Sequence, residues 1–169
     1  YAFQMLYWTG IRVGELLALT AGDFDFKNNM LTINKSYQRL HGEDVITTPK
    51  TEKSNRTIKM PQFLCDEMQE YLKMFYSRNN SDRIFPISKS YLHHEMDRGS
   101  KAAGVKRIRI HDLRHSHVSL LINQGYQAAA IADRVGHETV EITDRYTHIY
   151  PSKQNEMANT LDELWKERK

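Results

Sequence analysis

The sequence predicts an α+β domain, mainly helical, with a small antiparallel sheet near its N-terminal part. Three observations carry that reading. Apolar residues recur at three- and four-residue steps over most of the chain. Glycine or proline closes several of these runs. Strand-like alternation is confined to residues 21–60. A chain of 169 residues has the length of one domain and can bury a sizeable core. Its content of 40% hydrophobic and 10% aromatic residues sets it apart from disordered chains.

The elements follow in order. "YAFQMLYWTG" and "IRVGELLALT" read as two helices joined at Thr9-Gly10, the glycine serving as a C-cap. In the second, Leu16 and Leu19 fall at helical spacing from Arg12, which places the arginine beside the apolar stripe. "AGDFDFKNNMLTIN" alternates on both sides of Asn28-Asn29, as a hairpin does. "DVITT" and "RTIKM" are two further short strands, with the polar turn "PKTEKSN" between them. From Pro61, Phe63, Leu64, Met68, Leu72 and Phe75 recur with a helical period. Another helix closes at Gly104, "HDLRHSHVSLLINQG" ends at Gly125, and "QAAAIADRVG" ends at Gly136. "TVEITDRYTHIYP" stops at Pro151, and a tail over 152–169 puts Met157, Leu161, Leu164 and Trp165 on one amphipathic face.

No apolar run is long enough to cross a bilayer, and no signal-peptide pattern appears. Cys65, the single cysteine, falls in a helical segment and reads as a packed thiol rather than a nucleophile. These features favour a reducing, cytoplasmic setting. The opening "YAFQMLYW" reads as a helix already under way, so the chain is expected to be one domain of a longer protein. The net charge of +3 is only mildly basic, but its distribution is uneven. Arg98, Lys101, Lys106, Arg107, Arg109 and Arg114 crowd around the start of "HDLRH", opposed by Asp97 and Asp112.

"HDLRHSH" poses the functional question. Its H-x-x-x-H spacing is that of a zinc protease, but the motif needs glutamate after the first histidine, and Asp112 is one carbon shorter. No further ligand follows in the required place, and Arg114 would put a positive charge beside the cation. A metal site is therefore not expected. His117 and His115 read most simply as structural histidines. His111 differs because it travels with Arg114 three residues on, and residues three apart share a helix face. An imidazole and a guanidinium then point at one place, and an arginine fork matches phosphate oxygens.

Four other stretches complete a set: "TGIRVGELLAL" with Arg12, "TPKTEKSNRTI" with Lys50, "RVGHETVEI" with His137, and "TDRYTH" with Tyr146. Any one of them is weak, but together and in this order they resemble the catalytic domain of the tyrosine recombinases, the phage-integrase family of DNA strand-exchange enzymes. The matched motifs run from Thr9 to Tyr146. The resemblance implies Tyr146 as nucleophile, Arg12 and Arg114 as phosphate-clamping arginines, and His111 and His137 as histidines at the scissile phosphate. It implies Lys50 as the lysine of the strand turn, with Lys53 a competitor; the threonine following Lys50 favours Lys50. Glu15 would orient Arg12, and Asp112 and His115 would support the site. Tyr150 is the rival nucleophile, but the family's tyrosine precedes an x-His pair, as in "YTH", which favours Tyr146.

The implied activity is site-specific DNA recombination, as in integration and excision, through a covalent 3′-phosphotyrosyl intermediate. It requires no cofactor, neither metal nor ATP. The implied partners are double-stranded DNA and other recombinase protomers, as a tetramer on DNA. The tail would dock on a neighbouring protomer or on its own domain, and the residues leave both open. A type IB topoisomerase shares the chemistry, but the compact motif order and short tail argue against it. A DNA-binding domain with a dead site is opposed by the complete residue set.

Overall fold

The computed structural model describes residues 1–48, 52–75, 79–144, 158–161, 163 and 166. The first two helices are α1 (Ala2–Thr9) and α2 (Val13–Ala18). They are separated by Gly10, which caps α1 in the left-handed conformation. Arg12 lies one residue outside α2, as its extended N-cap, and Leu19 lies just past its end. The helical spacing read from Arg12 to Leu19 therefore overran the helix at both ends. The reason is local: the Glu15 carboxylate accepts from the Arg12 backbone N–H at 2.8 Å, a reciprocal cap that fixes the start at Val13.

The expected hairpin joins β1 (Phe24–Asp25) to β2 (Met30–Ile33), pairing Phe24 with Leu31. The strand "RTIKM" forms β5 (Arg56–Lys59), which pairs antiparallel with β2 to give the order β1-β2-β5. The antiparallel structure has a second piece. A strand the alternation did not show, β3 (Ser36–Leu40), pairs with β4 (Glu43–Thr47) as a separate two-stranded ladder. Its burial explains the omission: only Tyr37 is buried, so no alternating apolar face is written into "SYQRL".

The remaining helices are α3 (Gln62–Lys73), α4 (Lys89–Ala103), α5 (Asp112–Asn123), α6 (Ala128–Val135) and α7 (Val140–Asp144). Pro61 stands as the N-cap of α3, one position before its first turn. Leu64, Cys65 and Met68 are its buried face. Burial pushes the Cys65 thiol up, as expected of a packed sulfur. Phe63, on the same periodic run, is 43% exposed and instead meets Trp8 edge-on at 5.2 Å.

Two hydrophobic clusters result. The larger unites Met5, Leu6, Leu16 and Leu17 with Leu31, Ile33, Ile58, Leu64, Met68 and Ile84. The smaller holds Val118, Ile131 and Val135 between α5 and α6, with Leu121 and Ile122 against it. Helix α1 packs on α5, so the two clusters meet where α1 gives way to α2. Among the described residues no helix is long and apolar enough to cross a membrane. The helical residues of the tail include 158–161, where Leu161 is 66% exposed.

Candidate active site

The site begins at the junction of α1 and α2. Gly10 has φ +69°, and a Cβ there would stand 2.5 Å from Cδ2 of His117 and 3.1 Å from Val135. Only glycine satisfies both the left-handed backbone and the approach of α5 and α6. Its carbonyl accepts a 2.6 Å hydrogen bond from Nη1 of Arg114, a side chain that is almost completely buried. Arg114 is thus held from the opposite side of the fold, directly beneath the turn that carries Arg12.

Arg12 is tied at both ends of its guanidinium. Nη1 donates to Oε1 of Glu15 at 2.9 Å, and Nη2 donates to the Gly136 carbonyl at 2.8 Å. Its side chain is 38% exposed, so a buried frame presents a partly solvent-facing fork. Gly136 caps α6 with φ +69°, and a Cβ there would meet Nη1 of Arg56 and the Lys53 carbonyl, each at 2.9 Å. The strand turn before β5 therefore lies directly on the end of α6. Lys53 fastens it, its Nζ donating to the Glu138 carbonyl at 2.8 Å.

Beneath this lies Glu15, 3% exposed. Burial alone would raise its carboxyl pKa, but hydrogen bonds and charge from Arg56, then Arg12, outweigh it and hold the group below its ordinary range. Arg56 meets both carboxylate oxygens, Nη2 to Oε2 at 3.0 Å and Nη1 to Oε1 at 3.1 Å. The sequence reading missed Arg56. A signal was present: it is two residues before the core residue Ile58 on one strand, so both side chains share a face.

His111 stands as the N-cap of α5, and the next residues carry the helix forward to Arg114. Burial pushes its pKa down, and His115, Arg114 and Arg12 push the same way, with Asp112 opposing. His137 follows the Gly136 cap, and its Nδ1 is 3.0 Å from Oγ1 of the buried Thr143. Burial, then Arg114, Arg12, His115 and Arg56, bring it to about 4. Both imidazoles are therefore neutral near pH 7, and both feel the same two guanidiniums. His115 meets His111 edge-on, ring centroids 4.7 Å apart.

Arg12, Glu15, His111, Arg114, His115 and His137 thus come together. Asp112 serves the edge of this group: it accepts from the Arg109 backbone at 2.8 Å and from its guanidinium. Lys50, Tyr146 and the rival Tyr150 lie outside the described residues, as does most of the tail. His117 is structural, buried against Arg134, whose Nε donates to it at 3.2 Å. The basic run is partly neutralised by its neighbours, Arg98 by Glu95, Arg107 by Asp97 and Arg109 by Asp112. Among the described residues no three His, Cys, Asp or Glu side chains converge to hold a metal ion. Arg12 and Arg56 on the Glu15 carboxylate, with Arg114 and neutral imidazoles beside them, leave a net positive arrangement that could stabilise an anion.

The sequence model of the phage integrase family matches residues 1–153. The chain belongs to that family. It is 37% identical to the ICEBs1 integrase of Bacillus subtilis, over 96% of this chain and 48% of that relative. It is 32% identical to the integrase of Staphylococcus phage L54a, over 96% of this chain and 51% of that one. The chain therefore spans about half the length of the curated relatives it matches. The fold matches the Tn1549 transposon integrase, solved with a circular intermediate DNA, at a TM-score of 0.80. That match covers 96% of this chain and 57% of that one at 21% identity. It also matches XerA recombinase at a TM-score of 0.70 over 95% of this chain and 55% of that one, at 24% identity. A mainly helical integrase catalytic fold with a small antiparallel sheet is thus the architecture of this chain.

Proposed function

We propose that this chain carries the strand-cleaving and rejoining site of a site-specific DNA recombinase. The observation that supports it most directly is the convergence of Arg12 and Arg114 on two neutral imidazoles, His111 and His137. In this reading the two arginines grip the non-bridging oxygens of a DNA phosphodiester, where attack concentrates negative charge. A lost donor of this kind costs about 3–4 kcal/mol in comparable oxyanion sites. The Tyr146 hydroxyl attacks phosphorus and yields its proton to a neutral imidazole or to the substrate. The 5′ oxygen leaves with a proton from Lys50. A 3′-phosphotyrosyl bond replaces the phosphodiester, and a 5′ hydroxyl from the partner strand reverses the step.

Lys50 is favoured over Lys53 as the donor because the Lys53 ammonium is engaged on the Glu138 carbonyl. Double-stranded DNA as partner is supported by the DNA complex of the Tn1549 integrase. Assembly as a tetramer on DNA, action in the cytoplasm, and service to a mobile element belong to the same proposal. The phage and ICEBs1 relatives support the last of these.

The test uses the full-length protein on nicked duplexes carrying candidate attachment sequences, with EDTA present. An SDS-resistant protein–DNA adduct that disappears in Tyr146→Phe is the expected result. An adduct that survives the substitution would move the nucleophile to another residue, Tyr150 first. An adduct abolished by EDTA would overturn the metal-free chemistry.

A further inference from the structure

Arg56 is the most heavily committed side chain near the site that the proposed chemistry leaves unused. Its side chain is 7% exposed and joins three segments. The guanidinium takes both oxygens of Glu15, Nε donates to the Arg134 carbonyl at 2.9 Å, and Nη1 also donates to the Ser54 carbonyl at 3.1 Å. Each of these leads directly to a group at the phosphate. Glu15 holds Arg12, Arg134 lies two residues before Gly136 and the His137 turn, and Ser54 ends the turn that carries Lys53.

The charge arithmetic matters more than the scaffolding. A buried, ionised Glu15 with Arg12 as its sole partner would cancel the positive charge that the phosphate needs. A buried carboxylate facing one guanidinium through both oxygens is a strong pair. Here Arg56 occupies that bidentate position, and Arg12 contacts Glu15 through a single guanidinium nitrogen and its backbone N–H. We propose that Arg56 is a positioning residue that neutralises Glu15, so that Arg12 is oriented by the carboxylate without losing its charge to it. This rests on the reading of Arg12 as a phosphate clamp.

Lysine keeps the neutralising charge but cannot span both carboxylate oxygens, so it should replace Arg56 in part. Removing the charge at both positions should partly restore function, because Arg12 then keeps its charge and a glutamine at position 15 can still accept its backbone N–H. A merely structural Arg56 predicts the opposite, since the double variant removes more hydrogen bonds than either single one.

The experiment measures single-turnover adduct formation and DNA binding for the full-length protein and for Arg56→Gln, Arg56→Lys and Arg56→Gln with Glu15→Gln. Arg56→Gln should cleave at least 30-fold more slowly with DNA affinity changed less than about threefold, and Arg56→Lys, which keeps the charge, should cleave faster than Arg56→Gln. The double variant should regain at least tenfold over Arg56→Gln. A double variant or an Arg56→Lys no faster than Arg56→Gln, or an Arg56→Gln at the wild-type rate, would overturn the proposal. Carbon NMR titration of the Glu15 carboxyl tests it independently of activity. Its midpoint should lie below the ordinary glutamate value in the wild type and rise above that value in Arg56→Gln. An unmoved midpoint would overturn the proposal even in a protein that cleaves nothing, whereas a missing wild-type adduct alone would count against the recombinase reading.

Discussion

Arg114 reaches across the fold to the carbonyl of Gly10, 104 residues earlier in the chain, through a 2.6 Å hydrogen bond. The bond joins the only left-handed residue between α1 and α2 to the helix that bears His111. An arginine proposed to grip a phosphate is usually imagined as a flexible arm. This one is buried and fixed before any substrate arrives, which is the condition for electrostatic preorganisation.

Replacing Arg114 with lysine should therefore lower single-turnover cleavage by about 10²–10³-fold, the scale of one lost oxyanion donor. DNA affinity should fall much less. Comparing adduct formation with a binding titration on the same duplex checks the split.

Gly10→Ala should be costly for two separable reasons. The left-handed backbone strains any L side chain, and the new methyl would meet the His117 ring. A loss of about 2–4 kcal/mol in unfolding free energy is expected, above the usual penalty of a positive-φ alanine alone. Denaturant titration reads it directly.

His117 should make the fold acid-sensitive. Burial, then the charges of Arg134 and Arg114, depress it to about 4, against the Tyr7 backbone contact that opposes them. The unfolded chain then binds more protons between about pH 6.5 and pH 4, so stability is present above that window and drains as pH falls through it. For this almost fully buried ring the loss is on the order of 3 kcal/mol. His117→Gln keeps an acceptor for Arg134 but cannot titrate, so its stability should fall less steeply over the same window.

The two lysines of the strand turn should separate cleanly. Lys50→Ala should cleave slowly on ordinary DNA and recover on a duplex whose 5′ bridging oxygen is sulfur, because a thiolate leaves without a proton. Lys53→Ala should show a modest loss on both substrates, since its ammonium holds the Glu138 carbonyl. A thio-substrate that rescues Lys53→Ala instead would reverse the assignment.

His137 gives the pH profile of cleavage a definite shape. Its depressed value near 4 means the free protein carries a neutral imidazole at pH 6 as at pH 8. This ring should contribute no acid limb to the second-order rate of adduct formation in the ordinary histidine range. A midpoint near 6.5 that vanishes in His137→Gln would show that the ring is not shielded as the structure has it.

The residues that could be found in the sequence are those whose chemistry is local. Gly10, Gly104 and Gly136 end helices where their positions suggested, each in the left-handed conformation. Arg12, His111, Arg114 and His137 were recognisable because each travels in a short motif with its neighbours. Arg56 was not, because its strand position beside Ile58 marks only an inward-facing side chain, and the carboxylate it serves lies 41 residues away. Strand β3 escaped for a related reason: its exposed flank carries no period, and the pairing with β4 supplies what the pattern lacks.

The two unequal clusters of apolar side chains place the site on a boundary. Arg12 hangs from the large one, His137 from the end of a helix anchored by the small one, and the carbonyl of Gly136 is their clasp. A handful of valine, isoleucine and leucine contacts, even with the hydrogen bonds of Arg134, is a thinner anchor than the twenty buried residues opposite. Opening of α6 alone would part the clasp while most of the protein stayed folded. Heat or a trimmed Val135 should then silence the protein several degrees before it melts, so loss of activity would be a poor proxy for loss of structure.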